Sequence, residues 1–513
     1  MISREVVRRL RAFHQGRPLP RGATVHVEIV PDEDLLVVAF IRMGGESRPW
    51  GIAYGHPSDE PTILWVPEGR NRDLVADMCA QFAPALLEHF RTPGYVTPAP
   101  EQWEDLAPLR QLWLPNSSHL DMLHHLAYAF TFTRWGAGAR GRLNAFGRLC
   151  GWLFREAQRA GEQHVMVATD ALRESFTFPA QDVRQGHLGF LLAWLETAGG
   201  RDSRLRAALE AERVAVSTSL DPTVERDETE DLVGAWHAAE EAGDETRQKE
   251  VERQLGEILT RELRRRWDLT VKAIGVLRAD GRPTNSGVGT LVTEGLKEQW
   301  YQHTRQELNI GDDEDGPAFV PSPETDRYPA AAGSRYQVYL ASADLRYSAL
   351  LHGDTEMQAE AIASGNAFRG TIVEVRDEGE GRKTRPVWVI EDPVGGQLRL
   401  REGSWVCVAG MPKRTGIIES IEELPAGGRR FEVRITRWTT KPDRAADPMH
   451  VGRHVVIVPN SAAGMNRRKS QRVWSADTPG AWLTHARPQG PRAQLEEDLA
   501  EDLDSITPVV HSE

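Results

Sequence analysis

The side chains best suited to binding chemistry are cations and aromatics gathered between residues 368 and 472. This block holds twenty Lys/Arg against thirteen Asp/Glu, whereas the whole chain has a formal net charge of −13. Clustered cations neutralise phosphate groups, and their clustering matters more than the overall charge. The charge reversal therefore predicts a local contact with a polyanion inside an acidic protein.

The candidate nucleic-acid-binding side chains lie in predicted turns, at strand starts and in the segments that follow the last predicted strand. They are Arg382, Lys383, Arg385, Lys413, Arg414, Arg429, Arg430, Trp438, Lys441, Arg467, Arg468 and Lys469. The interleaved aromatic residues, which could serve as stacking platforms for unpaired bases, are Trp388, Trp405, Phe431, Trp438 and Trp474. Three interpretations stay open: nucleic-acid contact, protein contact through the same module, or core aromatics with loop cations that only face solvent.

The commonest catalytic and cofactor motifs are missing from the sequence. It contains no GxxxxGK[ST], GxSxG or HExxH motif, which removes the usual signals of nucleotide-binding loops, serine hydrolases and zinc proteases. His119 and His124 are five residues apart, so on a helix they would lie on poorly matched faces rather than pair around a metal. We therefore expect no cofactor and no metal ion.

An enzyme is the alternative interpretation, because metal sites built from distant carboxylates leave no local motif. It would be a metal-dependent phosphodiesterase or hydrolase, with its site between the N-terminal α/β unit and the helical region. His26 and Glu28 would share one face of an extended strand, and a structural pair is the competing explanation. The other side chains to inspect are Trp50, Tyr54 and His56.

The composition is that of an ordinary soluble globular chain, with 40% hydrophobic and 27% charged residues. Its 513 residues leave room for about three domains. The widely spaced Cys79, Cys150 and Cys407 predict reduced, buried thiols and a cytoplasmic location. No apolar run reaches roughly eighteen residues, so we expect neither a membrane span nor a signal peptide.

The pattern of elements predicts an α+β multidomain fold. The predicted units are a small α/β unit (1–100), a mostly helical region (101–310), a linker (311–334), a β-barrel-containing domain (335–475) and a polar acidic tail (476–513). Strands are predicted over 24–30, 35–41, 50–54, 62–66, 269–277 and 336–340. Helices are predicted over 73–90, 120–132, 143–160, 187–198, 221–268, 286–308 and 355–364. The tail is expected to pack weakly because its charge is high and its apolar residues are sparse.

Short strands separated by glycine- and proline-bearing turns predict a closed basic barrel in the C-terminal part. The strand candidates are 371–376, 386–390, 397–400, 404–408, 416–421 and 430–436. One stretch shows two alternating apolar residues, a glycine turn, a second glycine and then a returning strand. Its residues are Val406, Val408, Gly410, Gly416, Ile418 and Ile421. Over residues 403–437 this pattern resembles a KOW-type SH3-like barrel module, and an OB-like barrel fits as well. The resemblance implies nucleic-acid or protein binding on one barrel face, and it assigns no residue a role.

These patterns together predict a non-catalytic, nucleic-acid-associated protein. We expect an accessory or scaffold subunit that works with a motor or nuclease partner. The barrel would touch nucleic acid, and the acidic N-terminal regions or the barrel itself would bind the protein partner.

Overall fold

The computed structural model describes residues 4–90, 109–133, 135–136, 138–304, 329–378, 385–425, 427–436 and 449–460. The helices are α1 (Arg4–Gln15), α2 (Arg72–His89), α3 (Ser117–Phe130), α4 (Leu143–Ala157), α5 (Ala168–Ser175), α6 (Leu188–Glu196), α7 (Arg201–Glu212), α8 (Pro222–Val224), α9 (Glu230–Ala242), α10 (Glu245–Arg278), α11 (Val288–Thr304), α12 (Pro329–Leu350) and α13 (Thr355–Ala363). The strands are β1 (Leu19–Pro20), β2 (Leu35–Arg42), β3 (Pro49–Gly55), β4 (Thr62–Trp65), β5 (Gln111–Leu114), β6 (Val165–Val167), β7 (Phe176–Thr177), β8 (Phe368–Glu378), β9 (Arg385–Asp392), β10 (Trp405–Val408), β11 (Met411–Glu423), β12 (Arg429–Ile435) and β13 (His454–Pro459). The fold is therefore mixed α+β.

A five-stranded sheet in the order β4-β3-β2-β5-β6 organises the larger body. β2 pairs antiparallel with β3 and parallel with β5. The Phe40 ring of β2 contacts the Phe82 ring of α2, with centroids 6.4 Å apart, while Gly51 on β3 lies against Leu263 of α10. Helices thus cover both faces, which explains why β2 is a nearly continuous apolar run. One sheet and one core therefore combine residues from both sides of the boundary predicted near residue 100.

The prediction of a strand over 269–277 is wrong. These residues continue α10, because Ile274 extends the buried helical stripe that contains Leu263. The helix predicted over 221–268 is also interrupted. Gly243 ends α9 with a φ of 67°, and the Asp244 carboxylate then caps α10.

The segment over 24–30 was predicted as a strand and forms none. The Val25 N–H donates to the Pro283 carbonyl, and two further backbone donors are satisfied by side-chain amides instead of a neighbouring strand. The Glu28 N–H donates to Gln163 Oε1 at 3.0 Å, and the Val30 N–H donates to Gln111 Oε1 at 3.4 Å. The segment therefore lacks the neighbouring strand that would make it part of a sheet.

Residues 336–340 are helical, so the strand predicted there is wrong as well. They lie in α12, which begins at Pro329 and takes in residues 329–334 of the predicted linker; residues 311–328 lie outside the described part. The end of α12 packs on the start of α11 through a small apolar cluster. Its buried members are Val288, Leu291, Leu345, Ala349 and Leu350.

The predicted C-terminal β-barrel is confirmed as a closed antiparallel barrel in the order β10-β11-β12-β9-β8-β13. The strand predicted over 397–400 does not form, and β13, which closes the barrel between β8 and β10, was not predicted. Lys413 and Arg414 were expected in a turn. They lie in β11, because the turn ends at Gly410, where φ is 77°.

Candidate functional site

The outward face of the barrel carries a network of arginine–glutamate pairs. Arg430, predicted to bind nucleic acid, bonds Glu391 through Nη2 at 2.7 Å. Arg429 pairs with Glu423 at 2.8 Å and also donates to the Gly396 carbonyl. Both guanidinium groups are therefore engaged by the barrel itself.

Two further arginines extend this network across neighbouring strands. Arg376 of β8 reaches over β9 to Glu432 of β12 at 2.7 Å, and its hydrogen bond lowers the pKa of that carboxyl. Arg434 pairs with Glu419 at 2.8 Å. These contacts leave the described barrel strands close to electrically balanced on this face.

The remaining predicted binding residues, which are all cations except Trp438, fall into two groups. Arg385 begins β9, and Lys413 and Arg414 lie in β11. The others lie outside the described residues: Arg382, Lys383, Trp438, Lys441, Arg467, Arg468 and Lys469. The predicted set is therefore not gathered into one cationic patch by the described strands.

The aromatic residues divide between the core and the surface. Trp388 and Phe431 are buried, and the Phe431 ring stacks on Phe368 with centroids 3.8 Å apart. These two fill the barrel core, which was the competing explanation for them. Trp405 differs, because 44% of its surface is exposed. It is the large aromatic that the described barrel presents to solvent.

Trp405 lies at the edge of the barrel where the described chain leaves β13. The Asn460 N–H donates to the Trp405 carbonyl at 2.9 Å. Across the strands, Trp405 is opposite Ile417, which is opposite Arg434. Arg401, in the loop before β10, is also exposed. This edge thus combines an exposed indole with an aliphatic neighbour and nearby guanidinium groups.

The other end of β10 is covered by the segment that joins the barrel to the body. Cys407 Sγ lies 3.4 Å from His352 Nε2, and a small apolar cluster that includes Leu351 and Ala361 surrounds it. Burial raises the pKa of the Cys407 thiol to about 12 and lowers the pKa of His352 to about 4. The barrel therefore docks through the Cys407 end, whereas the Trp405 side chain at the other end of β10 is left exposed by the described residues. All three cysteines are free and buried, as predicted.

The side chains suggested for an enzyme do not converge. His26 lies 3.5 Å from Asp354 at a polar cavity of about 330 Å³ whose lining includes neither Glu28 nor His56. His56 Nδ1 instead contacts the backbone oxygens of Asp32 and Leu35. Trp50 is buried, and Tyr54 packs on Phe82.

The cavity at His26 is a junction between three parts of the chain. The Asp354 carboxylate caps α13. Burial raises the pKa of this carboxyl, but the nearby His26 ring and the hydrogen bonds from the backbone N–H groups of Met357 and Glu356 outweigh burial and lower it. Arg8 of α1 pairs with Glu356 at the same place. The His26 contact thus belongs to the docking of α13 on the body.

The carboxyl ends of the parallel strands, where open α/β sheets commonly bind ligands, are filled by residues 216–219. The Arg42 N–H donates to the Thr218 carbonyl at 2.8 Å, and the Thr218 N–H donates to Ser118 Oγ at 2.9 Å. Buried Arg266 donates to the carbonyls of Ser217 and Ser219. Sequence reasoning missed this arginine, because nothing distinguishes it from the many others in the chain.

His119 and His124 lie on different faces of α3, as their spacing indicated. His119 is fully buried and bonds the Phe40 N–H and the Val216 carbonyl, whereas His124 lies against Phe154. Within the described ranges, no group of three or more His, Cys, Asp or Glu side chains could hold a metal ion. No helix in the same ranges is long and apolar enough to cross a membrane.

Comparison with models of known protein families found no match, and neither did comparisons with curated proteins and with solved structures. Any functional assignment therefore depends on the geometry of this chain.

Proposed function

We propose that this chain is a nucleic-acid-associated accessory or scaffold protein whose barrel binds single-stranded nucleic acid around Trp405. The observation that carries the proposal is the hydrogen bond between Asn460 and Trp405, because the cation-rich segment 461–472 begins directly after Asn460. This bond fixes the start of the segment beside β10, and its first cation, Arg467, comes seven residues later in the chain. Stacking on an aromatic ring combined with phosphate neutralisation is how sequence-tolerant single-strand binding works.

The distribution of charge supports this arrangement. The described residues of the barrel, 368–378, 385–425, 427–436 and 449–460, contain eleven Lys/Arg and ten Asp/Glu. Residues 461–472 contain four cations and no carboxylate: Arg467, Arg468, Lys469 and Arg472. The cationic excess of the block thus lies mainly outside the barrel strands, and the strands supply the stacking surface.

The closed barrel suits this role as an SH3-like or OB-like module. The hairpin of β10 and β11 turns at Ala409 and Gly410 and pairs Val406 with Gly416, in keeping with the KOW-type pattern. In this proposal the larger acidic body binds a protein partner, such as a motor or a nuclease, and the barrel holds the strand.

The test is a binding titration of the full chain with a fluorescein-labelled single strand of about 20 nucleotides, DNA and RNA in separate arms, at about 50 mM salt. Stacking on one aromatic ring is worth ~1–3 kcal/mol, so Trp405→Ala should weaken binding about 5- to 150-fold. The matched control is Tyr128→Ala, which removes an aromatic side chain that is 85% exposed on α3 of the body.

Binding by the wild type that falls in Trp405→Ala and not in Tyr128→Ala supports the proposal. No binding of either strand by the wild type, or equal affinities for the two variants, overturns it.

A further inference from the structure

An apolar groove runs along α1 on the body. Its rim is formed by Val6, Leu10 and Phe13, one helical turn apart and 46%, 61% and 51% exposed. The groove has a volume of about 610 Å³. Its floor is made of buried aromatic side chains, Phe178, Phe190 and Trp194. Three exposed apolar side chains above an aromatic floor are the geometry that accepts the apolar face of a helix.

The charged side chains that line this groove are all arginines: Arg9, Arg184 and Arg201. Arg9 is paired with Asp182 and Glu5, and Arg184 with Glu212. Arg201 lies over the Phe13 ring at 3.9 Å and makes no ion pair within the described ranges. An occupant with an acidic face and an apolar stripe would therefore match both the lining and its charge.

This chain contains such a segment in residues 493–507, which lie outside the described ranges. Leu495, Leu499, Leu503 and Ile506 follow the spacing of one helical face. Six carboxylates, Glu496, Glu497, Asp498, Glu501, Asp502 and Asp504, fall outside the apolar stripe. Pro491 precedes the segment and Pro508 follows it, which bounds a helix at both ends. The spacing predicts an amphipathic acidic helix.

The connection between barrel and groove is long enough for docking within one molecule. The described chain leaves the barrel at Asn460, and the barrel packs on α13. α13 in turn pairs with α1 through Glu356 and Arg8. The segment is separated from Asn460 by 32 residues, 461–492, and a tether of that length gives an effective concentration on the order of millimolar.

We propose that residues 493–507 dock as a helix in the α1 groove of the same molecule. The leucine stripe covers Val6, Leu10 and Phe13, and the acidic face meets Arg201. Docking would bury the apolar side chains of the tail against the groove. In this proposal the tail packs more tightly than its charge alone predicts. This inference is independent of nucleic-acid binding.

The test is cross-linking in the full chain with a short bismaleimide, using the variant Leu10→Cys/Leu499→Cys. The native cysteines are buried and do not compete. The control pair is Tyr128→Cys/Leu499→Cys, which moves one thiol to an exposed site on α3. We expect the groove pair to cross-link within one chain at least about tenfold faster, because a tethered docked helix holds the two thiols together.

A second comparison uses two variants of the groove pair, each with one added glutamate. One glutamate lies on the leucine stripe of the tail and the other lies off it. Leu503→Glu should lower the cross-linking rate of the groove pair about tenfold and speed hydrogen exchange of α1, whereas Ala500→Glu, off the stripe, should change neither. Equal cross-linking rates for the groove and control pairs, or equal effects of the two charges, overturn the proposal. A product that is a covalent dimer also overturns it and assigns the groove to a second copy.

Discussion

Replacement of Arg266 by Met tests what holds residues 216–219 against the sheet. Arg266 is 0% exposed on α10. Its guanidinium donates to the Ser217 carbonyl at 2.7 Å, to the Ser219 carbonyl at 3.0 Å and to Glu262 Oε2 at 3.1 Å. The Glu262 side chain is also buried and keeps a second bond, from Arg265, at 2.8 Å.

The magnitude follows from the groups that lose their partners. Met fills much of the volume but leaves two backbone carbonyls without their donor, each worth ~1–3 kcal/mol when buried. It also removes one of the cations facing the Glu262 carboxylate, and breaking a buried pair costs ~3–5 kcal/mol. Since Arg265 still bonds Glu262, we expect the body to lose about 3 kcal/mol in its free energy of unfolding.

The assay is urea unfolding of the full chain followed by far-ultraviolet circular dichroism, which reports mainly on the helices of the body. Arg253→Met is the matched control, because Arg253 lies on the same helix with a half-exposed side chain that pairs with Glu250 and with the exposed Glu257. Surface pairs are screened, so its loss should be at most about 1 kcal/mol. If the free energies of unfolding of the two variants differ by less than about 1 kcal/mol, the role given to Arg266 is wrong.

Two further predictions concern packing and pH. Burial lowers the pKa of His119 to about 3, so below pH ~6.5 the unfolded chain takes a proton that the folded chain refuses. The free energy of unfolding should fall by about 1 kcal/mol from this residue between pH 6.5 and 5.5, and His119→Gln should remove that part of the slope; an unchanged pH profile contradicts this. A Cβ on Gly287 would lie 1.8 Å from the Ala349 carbonyl oxygen, so Gly287→Ala should cost ~1–3 kcal/mol. Gly289→Ala, which meets open space in α11, should be neutral or gain up to ~1 kcal/mol, and equal thermal midpoints for the two variants would contradict the packing given to Gly287.

The elements that could be predicted were those whose period is unambiguous. The helix at 72–89 and the strands at 35–42 and 49–55 have clear apolar patterns, and the barrel strands alternate between well-marked turns. The segment 269–277 failed because a short apolar run fits a strand and a buried helix equally well. Only its packing as the end of α10 decides between them.

The candidate site was harder to predict from the sequence, because the residue pattern does not show which cations form ion pairs. Arg429 and Arg430 lie on β12 directly opposite Glu423 of β11 and Glu391 of β9, so they meet these carboxylates only once β12 is placed between β11 and β9. Trp405 and Trp388 are alike in sequence, and their strand registers send one outward and one into the core. The α1 groove could not be predicted from the sequence, because it is formed only when α1 and α6 lie side by side in the fold.

The most direct measurement of the central claim is the dependence of single-strand affinity on salt in two charge-matched variants of the full chain. Arg467→Gln/Arg468→Gln removes two cations of the segment that follows Asn460, whereas Arg429→Gln/Arg430→Gln removes two that are paired with glutamates. Each lost phosphate contact flattens the slope of log affinity against log salt by ~0.7 for single strands. We predict a slope flatter by about 1.4 for the first variant and a smaller change for the second. A larger change for the second variant, or a wild-type affinity that does not depend on salt, would contradict the account.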